Sequence, residues 1–134
     1  SKEACEQNGW KPRAKITHAV NAGDSPELML NAPVPAARKA LERAGLTPDD
    51  IDLWEVNEAF SVVSLAVEDK VGYDAANVNI WGGAVALGHP IGCSGARILV
   101  TLLHQMADRG AKRGAASLCI GGGEAVAIIV ENAS

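Results

Sequence analysis

The stretch Val78-Asn79-Ile80-Trp81-Gly82-Gly83-Ala84-Val85-Ala86-Leu87-Gly88-His89-Pro90-Ile91-Gly92-Cys93-Ser94-Gly95-Ala96-Arg97 decides how the rest of the chain reads. A short apolar run opens it, and a longer one, residues 98–106, follows it. That order reads as strand, glycine-rich loop and buried helix. Five glycines between residues 82 and 95 allow the loop backbone to approach a ligand or another segment closely. His89 stands between Gly88 and Pro90, and the proline restricts the backbone around it. A histidine held in place on a loop suits acid–base chemistry. On spacing alone, the stretch fits equally well a tight turn whose histidine only caps or packs.

Outward from this loop the chain alternates strands and helices. Residues 13–22 read as a strand closed by Asn21-Ala22-Gly23-Asp24. Pro33 and Pro35 open a helix with the apolar stripe Val34, Ala37, Leu41 and Ala44, and Gly45 stops it. Residues 51–56 read as a strand, 58–71 as a helix ended by Gly72, and 77–80 as a further strand. Beyond the loop, residues 94–109 read as a helix, and 115–120 and 125–130 as strands around the turn Gly121-Gly122-Gly123. The expected fold is α/β, a five-stranded mixed sheet in the order β-α-β-α-β-α-β-β. Crossover helices imply parallel neighbours, and the three-glycine turn implies an antiparallel hairpin.

The length of 134 residues suits one domain, and 48% hydrophobic with 21% charged residues is a globular composition. A net charge of −4, with no basic run among the 12 Lys and Arg residues, argues against a nucleic-acid surface. No apolar run reaches membrane-spanning length, and the polar residues 1–8 do not resemble a secretory signal, so no membrane partner is expected. Cys5, Cys93 and Cys119 fall in no disulfide or metal spacing, which favours a reducing compartment, the cytoplasm. A zinc site from His18, His89, His104 and Cys119 matches no ligand signature, so no metal is expected. No lysine follows the loop glycines as a phosphate-binding loop would need.

The helices at 58–71 and 94–109 are apolar nearly all round. One sheet covers only one side of such a helix, so a second sheet is expected against them. Three candidates for chemistry fall at the carboxyl ends of strands, where sites of open α/β sheets collect: Asn57, His89 and Cys119. Asn57 alone also suits a helix cap, and Cys119 alone a small buried residue. The glycines after Cys119 free backbone N–H groups that could lower its thiol pKa.

These residues lie in three motifs: Asn57-Glu58-Ala59-Phe60, Gly82-Gly83-Ala84 continuing to Gly88-His89-Pro90-Ile91-Gly92 and Gly95-Ala96-Arg97, and Cys119-Ile120-Gly121-Gly122-Gly123. In order and spacing they resemble the C-terminal signatures of the thiolases, most of all the acetyl-CoA acetyltransferase branch, from about Trp10 onward. The resemblance implies that residues 1–134 are a thiolase C-terminal domain, with 1–12 the tail of a preceding domain or a linker. It implies acyl transfer between acyl-CoA molecules, with coenzyme A thioesters as substrates and no cofactor. His89 would activate a nucleophilic cysteine and help hold the thioester oxygen of the second acyl-CoA. Asn57 would position a water completing that oxyanion hole. Cys119 would remove a proton from the acetyl methyl, and the Gly121 N–H would serve a second oxyanion hole. Met29, Ala59 and Phe60 would border the pantetheine arm.

Leu30, Trp81 and Glu124 depart from common family choices and bear on acyl-chain preference. Neither Cys5 nor Cys93 matches the nucleophile position, so the nucleophile is expected on an N-terminal thiolase domain outside this chain, whether by truncation, proteolysis or gene splitting. The isolated domain is then expected to be inactive, and the full-length protein to form a dimer or tetramer. Two other readings stand beside this one. A ketoacyl synthase shares the fold but would carry a histidine where Cys119 stands, and a thiolase-like lipid-binding domain would bind acyl-CoA without chemistry.

Overall fold

A computed structural model describes residues 1–133. Its strands are β1 (Ala14–Gly23), β2 (Leu53–Val56), β3 (Arg113–Ile120) and β4 (Glu124–Asn132), and its helices are α1 (Lys2–Asn8), α2 (Pro33–Ala44), α3 (Ser61–Val71), α4 (Ala84–Leu87) and α5 (Ser94–Arg109). The strands form one mixed sheet ordered β1-β4-β3-β2. β2 and β3 are parallel, while β4 runs antiparallel to both of its neighbours. β1, β2 and β3 therefore point the same way, as crossover helices require. Both hairpin strands, β4 and β3, stand between β1 and β2, the two strands that α2 connects.

The sheet has four strands rather than five, because residues 77–80 do not form a ladder. A single parallel bridge, Trp54 to Val78, is the remnant of that expected strand. The next residue, Asn79, turns to φ 47°, a left-handed conformation that ends an extended run. Its side-chain amide then takes over the ladder's work. Asn79 Oδ1 accepts from the Val56 N–H and its Nδ2 donates to the Val56 carbonyl, each at 2.9 Å. Asparagine tolerates this conformation and carries both a donor and an acceptor on one short side chain.

Alternation along β2 divides the core. Trp54 and Val56 point to one face with Ala36, Ala37, Ala40 and Leu41 of α2 and Val63 and Val67 of α3. Leu53 points to the other face with Ile98, Leu102 and Met106 of α5. Gly114 on β3 lets α5 approach closely, since a Cβ there would stand 2.8 Å from both Leu102 Cδ1 and Met106 Sδ.

α3 and α5 each bury one stripe and leave apolar residues outside. Val62 is 49% and Leu65 65% exposed on α3, and Val100 is 52% exposed on α5. No second sheet lies against these surfaces among the described residues. α1 buries no residue, and Gly9 closes it.

Candidate active site

The parallel register of β2 and β3 brings the first two candidate segments to one edge. Val56 pairs with Ser117, and the Asn57 N–H extends that ladder by donating to the Ser117 carbonyl at 2.9 Å. Asn57 is thus fully buried just past the end of β2, one position before the level of Cys119 on the neighbouring strand. The helix expected from residue 58 begins instead at Ser61, so Asn57 caps nothing and its side chain is left for the loop. Asn57 Nδ2 lies 3.5 Å from His89 Nδ1, and its buried Oδ1 has no partner among the described residues.

His89 is held on its other side by Ser94, the first residue of α5, whose Oγ lies 2.6 Å from Nδ1. The Ser94 hydroxyl also donates to the Pro90 carbonyl at 3.2 Å, and Ser94 is 1% exposed. With Nδ1 enclosed by Asn57 and Ser94, Nε2 is the ring nitrogen left to meet a substrate. The even choice between a packing histidine and a working one is thereby narrowed, because among the described hydrogen bonds only Nδ1 of His89 is engaged.

Glu58 explains how the loop is hung on this edge. Its Oε2 accepts from the Val85 N–H at 2.9 Å, near the start of α4, and its Oε1 accepts from Asn79 Nδ2 at 3.2 Å. Its carboxylate occupies the space of a side chain on residue 83, where a Cβ would fall 2.5 Å from Glu58 Cδ. Gly83 is glycine for that space, not for its backbone angle. Sequence reasoning quoted Glu58 inside a motif and gave it no part.

Cys119 lies near the end of β3, half-buried, and pairs with Ala125 across the hairpin. Burial pushes its thiol above the ordinary 9.0, against a smaller lowering by its own backbone N–H. The expected lowering by the glycine turn is overturned, since desolvation outweighs it. Gly121 is exposed, while Gly123 at φ 88° meets the 24–26 turn, where a Cβ would stand 2.6 Å from the Asp24 carbonyl. The Asp24 N–H donates to the Gly123 carbonyl at 2.7 Å. This contact ties the hairpin to the 3₁₀ turn Pro26–Asn31, which carries Met29 and packs on α3 and β3. Met29 and Ala59 are partly exposed, and Phe60 is 56% exposed. No direct contact joins Cys119, Met29, Ala59 or Phe60 to His89 among the described hydrogen bonds and ring contacts.

Glu55, two residues before Asn57, was also passed over, although a carboxylate on the apolar side of β2 is itself a signal. It is fully buried and faces α5, accepting from Gln105 Nε2 at 2.9 Å and from Arg97 Nη1 at 3.2 Å. Desolvation raises its pKa from 4.5 to about 7, opposed by the Gln105 hydrogen bond and the Arg97 charge. Between these values the folded state binds the proton and the unfolded state does not, so stability falls as pH rises through that window. The change amounts to roughly 3 kcal/mol for a shift of that size. Glu55→Gln should flatten this slope, measured as the difference in urea midpoint between variant and parent from about pH 5 to 7. Parallel pH dependences would show that Glu55 is ionised throughout.

His18 and His104 lie away from the loop, on β1 and α5. Among the described residues, no group of three or more His, Cys, Asp or Glu side chains is placed to hold a metal ion. No helix among them is long and apolar enough to cross a membrane.

Comparison with known proteins agrees with the three motifs. The model of the thiolase C-terminal domain matches residues 10–132. The acetyl-CoA acetyltransferase of Syntrophomonas wolfei is 56% identical over 133 residues, which cover 98% of this chain and 34% of that protein. The crystal structure of human mitochondrial 3-ketoacyl-CoA thiolase superposes with a TM-score of 0.97 at 43% identity, over all of this chain and 34% of that one. A structure of the same human enzyme in complex with CoA superposes at 0.96 with 44% identity, over 98% of this chain and 34% of that one. The chain thus spans about a third of the length of the relatives it matches. The match over residues 10–132 and the 56% identity over nearly the whole chain decide the assignment: the chain belongs to the thiolase family, as that family's C-terminal domain.

Proposed function

We propose that this chain supplies one wall of a thiolase active site, which in the full-length protein forms acetoacetyl-CoA from two acetyl-CoA molecules or cleaves 3-ketoacyl-CoA in reverse. The observation that carries the reading is the convergence of Asn57 and His89, 3.5 Å apart, at the carboxyl edge shared with Cys119. His89 Nε2 takes the proton of a nucleophilic cysteine on the N-terminal domain, and its N–H then holds the thioester oxygen of the second acyl-CoA. Asn57, whose buried Oδ1 has no partner among the described residues, positions a water beside it. Cys119 removes the methyl proton, and the Gly121 N–H steadies a thioester oxygen. Met29, Ala59 and Phe60 border the pantetheine arm. The exposed apolar stripes of α3 and α5 suit the N-terminal domain as partner, and residues 1–12 its tail or a linker.

Thioester exchange and carbon–carbon bond formation are redox-neutral, so acid–base groups suffice and no resident cofactor is required. Three free cysteines suit the cytoplasm, and a dimer or tetramer is the proposed assembly.

The test is turnover. Full-length protein should form and thiolyse acetoacetyl-CoA, while the 134-residue chain alone should do neither, because this reading places the nucleophilic cysteine on the N-terminal domain. Binding of acetyl-CoA by the full-length protein without exchange of its methyl protons would support the non-catalytic lipid-binding reading instead. Turnover by the isolated chain at full-length rates would overturn the division of labour.

A further inference from the structure

His89 Nδ1 lies 2.6 Å from the Ser94 hydroxyl, and the Pro90 carbonyl stands 3.2 Å from that hydroxyl as an acceptor for its proton. A serine hydroxyl has one proton and two lone pairs, so with its proton engaged Ser94 meets the ring as an acceptor. We infer that Ser94 is a positioning residue that keeps a proton on His89 Nδ1 throughout the reaction, so that Nε2 alone gains and loses the transferred proton. The inference rests on the thiolase reading above and names the residue that makes its histidine work.

Proton accounting shows why one fixed Nδ1–H serves both proposed duties. In the first half-reaction the proton of the nucleophilic cysteine passes to Nε2, and the thiolate forms a bond to the acyl carbon. The carbon–sulfur bond to coenzyme A breaks, and the departing thiolate takes the Cys119 proton. His89 is then cationic, with Nδ1–H on Ser94 and Nε2–H free to donate to the next thioester oxygen. Cys119, now a thiolate, removes the methyl proton. The carbanion takes the acyl group, and the nucleophile leaves as a thiolate that recovers its proton from Nε2. Every proton returns, and Nδ1 never changes state.

The surroundings make that acceptor necessary. The other group at Nδ1, Asn57 Nδ2, is a donor and favours an unprotonated Nδ1. Ser94 is buried, so a substituted position there offers little access for water to replace the hydroxyl.

The experiment uses full-length protein with histidine ring nitrogens labelled, the His89 signals being identified as those lost in His89→Gln. In the parent, His89 should carry its proton on Nδ1. In Ser94→Ala the proton should move to Nε2, because the Asn57 amide is then the group remaining at Nδ1. kcat for condensation should fall about 10- to 100-fold with KM changed by less than about two-fold, as loss of a hydrogen bond to a charged group in the reacting complex requires. Ser94→Thr, which restores a hydroxyl, should recover both the spectrum and most of kcat. An unprotonated Nδ1 in the parent would overturn the inference, as would kcat in Ser94→Ala within about two-fold of the parent. A folded Ser94→Thr with no recovery would also overturn it. Absence of all acyl transfer in the parent would instead sink the functional reading, while the ring spectrum would still decide the role of Ser94.

Discussion

Cys119→Ala in the full-length protein is expected to stop carbon–carbon bond formation while leaving the enzyme able to accept an acetyl group. The acetyl methyl is a very weak carbon acid, and its proton leaves only to a positioned base. Burial raises the Cys119 thiol, so its thiolate, once formed, is a stronger base than an exposed one. That strengthens the pull on the methyl proton, and under the proposed roles the His89 N–H and the water at Asn57 would steady the enolate oxygen. Removing such a base should lower condensation by about 10³-fold or more, at the upper end of what positioned proton transfer contributes. Coenzyme A is a good leaving group without help, so acylation of the nucleophile should survive. Intact mass should show the acetyl-enzyme, and methyl deuterium exchange should disappear. Deuterium exchange at the parent's rate would remove Cys119 from this role.

His89→Ala should fail in both half-reactions, which distinguishes it from Cys119→Ala. The first half loses the acceptor of the nucleophile's proton and the second loses a donor to the thioester oxygen. Each loss is worth about 10²-fold or more, and together they should take overall turnover down by at least about 10³-fold. Stability should change little, because His89 is only partly buried and its described hydrogen bonds are at Nδ1 alone. Rapid acylation measured by intact mass at neutral pH, with condensation alone impaired, would assign the first proton transfer to another group.

The helices were legible in the sequence wherever local chemistry set both ends. Pro33 and Gly45 bracket α2, and residues 94–109 become α5 with Gly110 closing it. The Gly121-Gly122-Gly123 turn announced the hairpin of β3 and β4. The second expected helix, at 58–71, begins only at Ser61, because residues 58–60 are helix-compatible locally but are drawn out by long-range contacts. Asn57 extends the ladder to Ser117, and Glu58 reaches the Val85 N–H. The expected fifth strand was lost for the same kind of reason, since Asn79 substitutes its side chain for a strand backbone.

By itself the sequence determined the α/β class, the punctuation by proline and glycine, and the identity of Asn57, His89 and Cys119 as candidates. These depend on residue type, spacing and periodicity, which act over a few neighbours. Tertiary structure alone decided that β4 lies between β1 and β3, that Ser94 rather than solvent meets His89 Nδ1, and that Glu55 is buried against Arg97 and Gln105. Each of those outcomes joins atoms on different elements. Distance and burial, which set the strength of a hydrogen bond and the protonation of a carboxylate or thiol, exist only once the sheet has stacked its strands and α5 has closed over them.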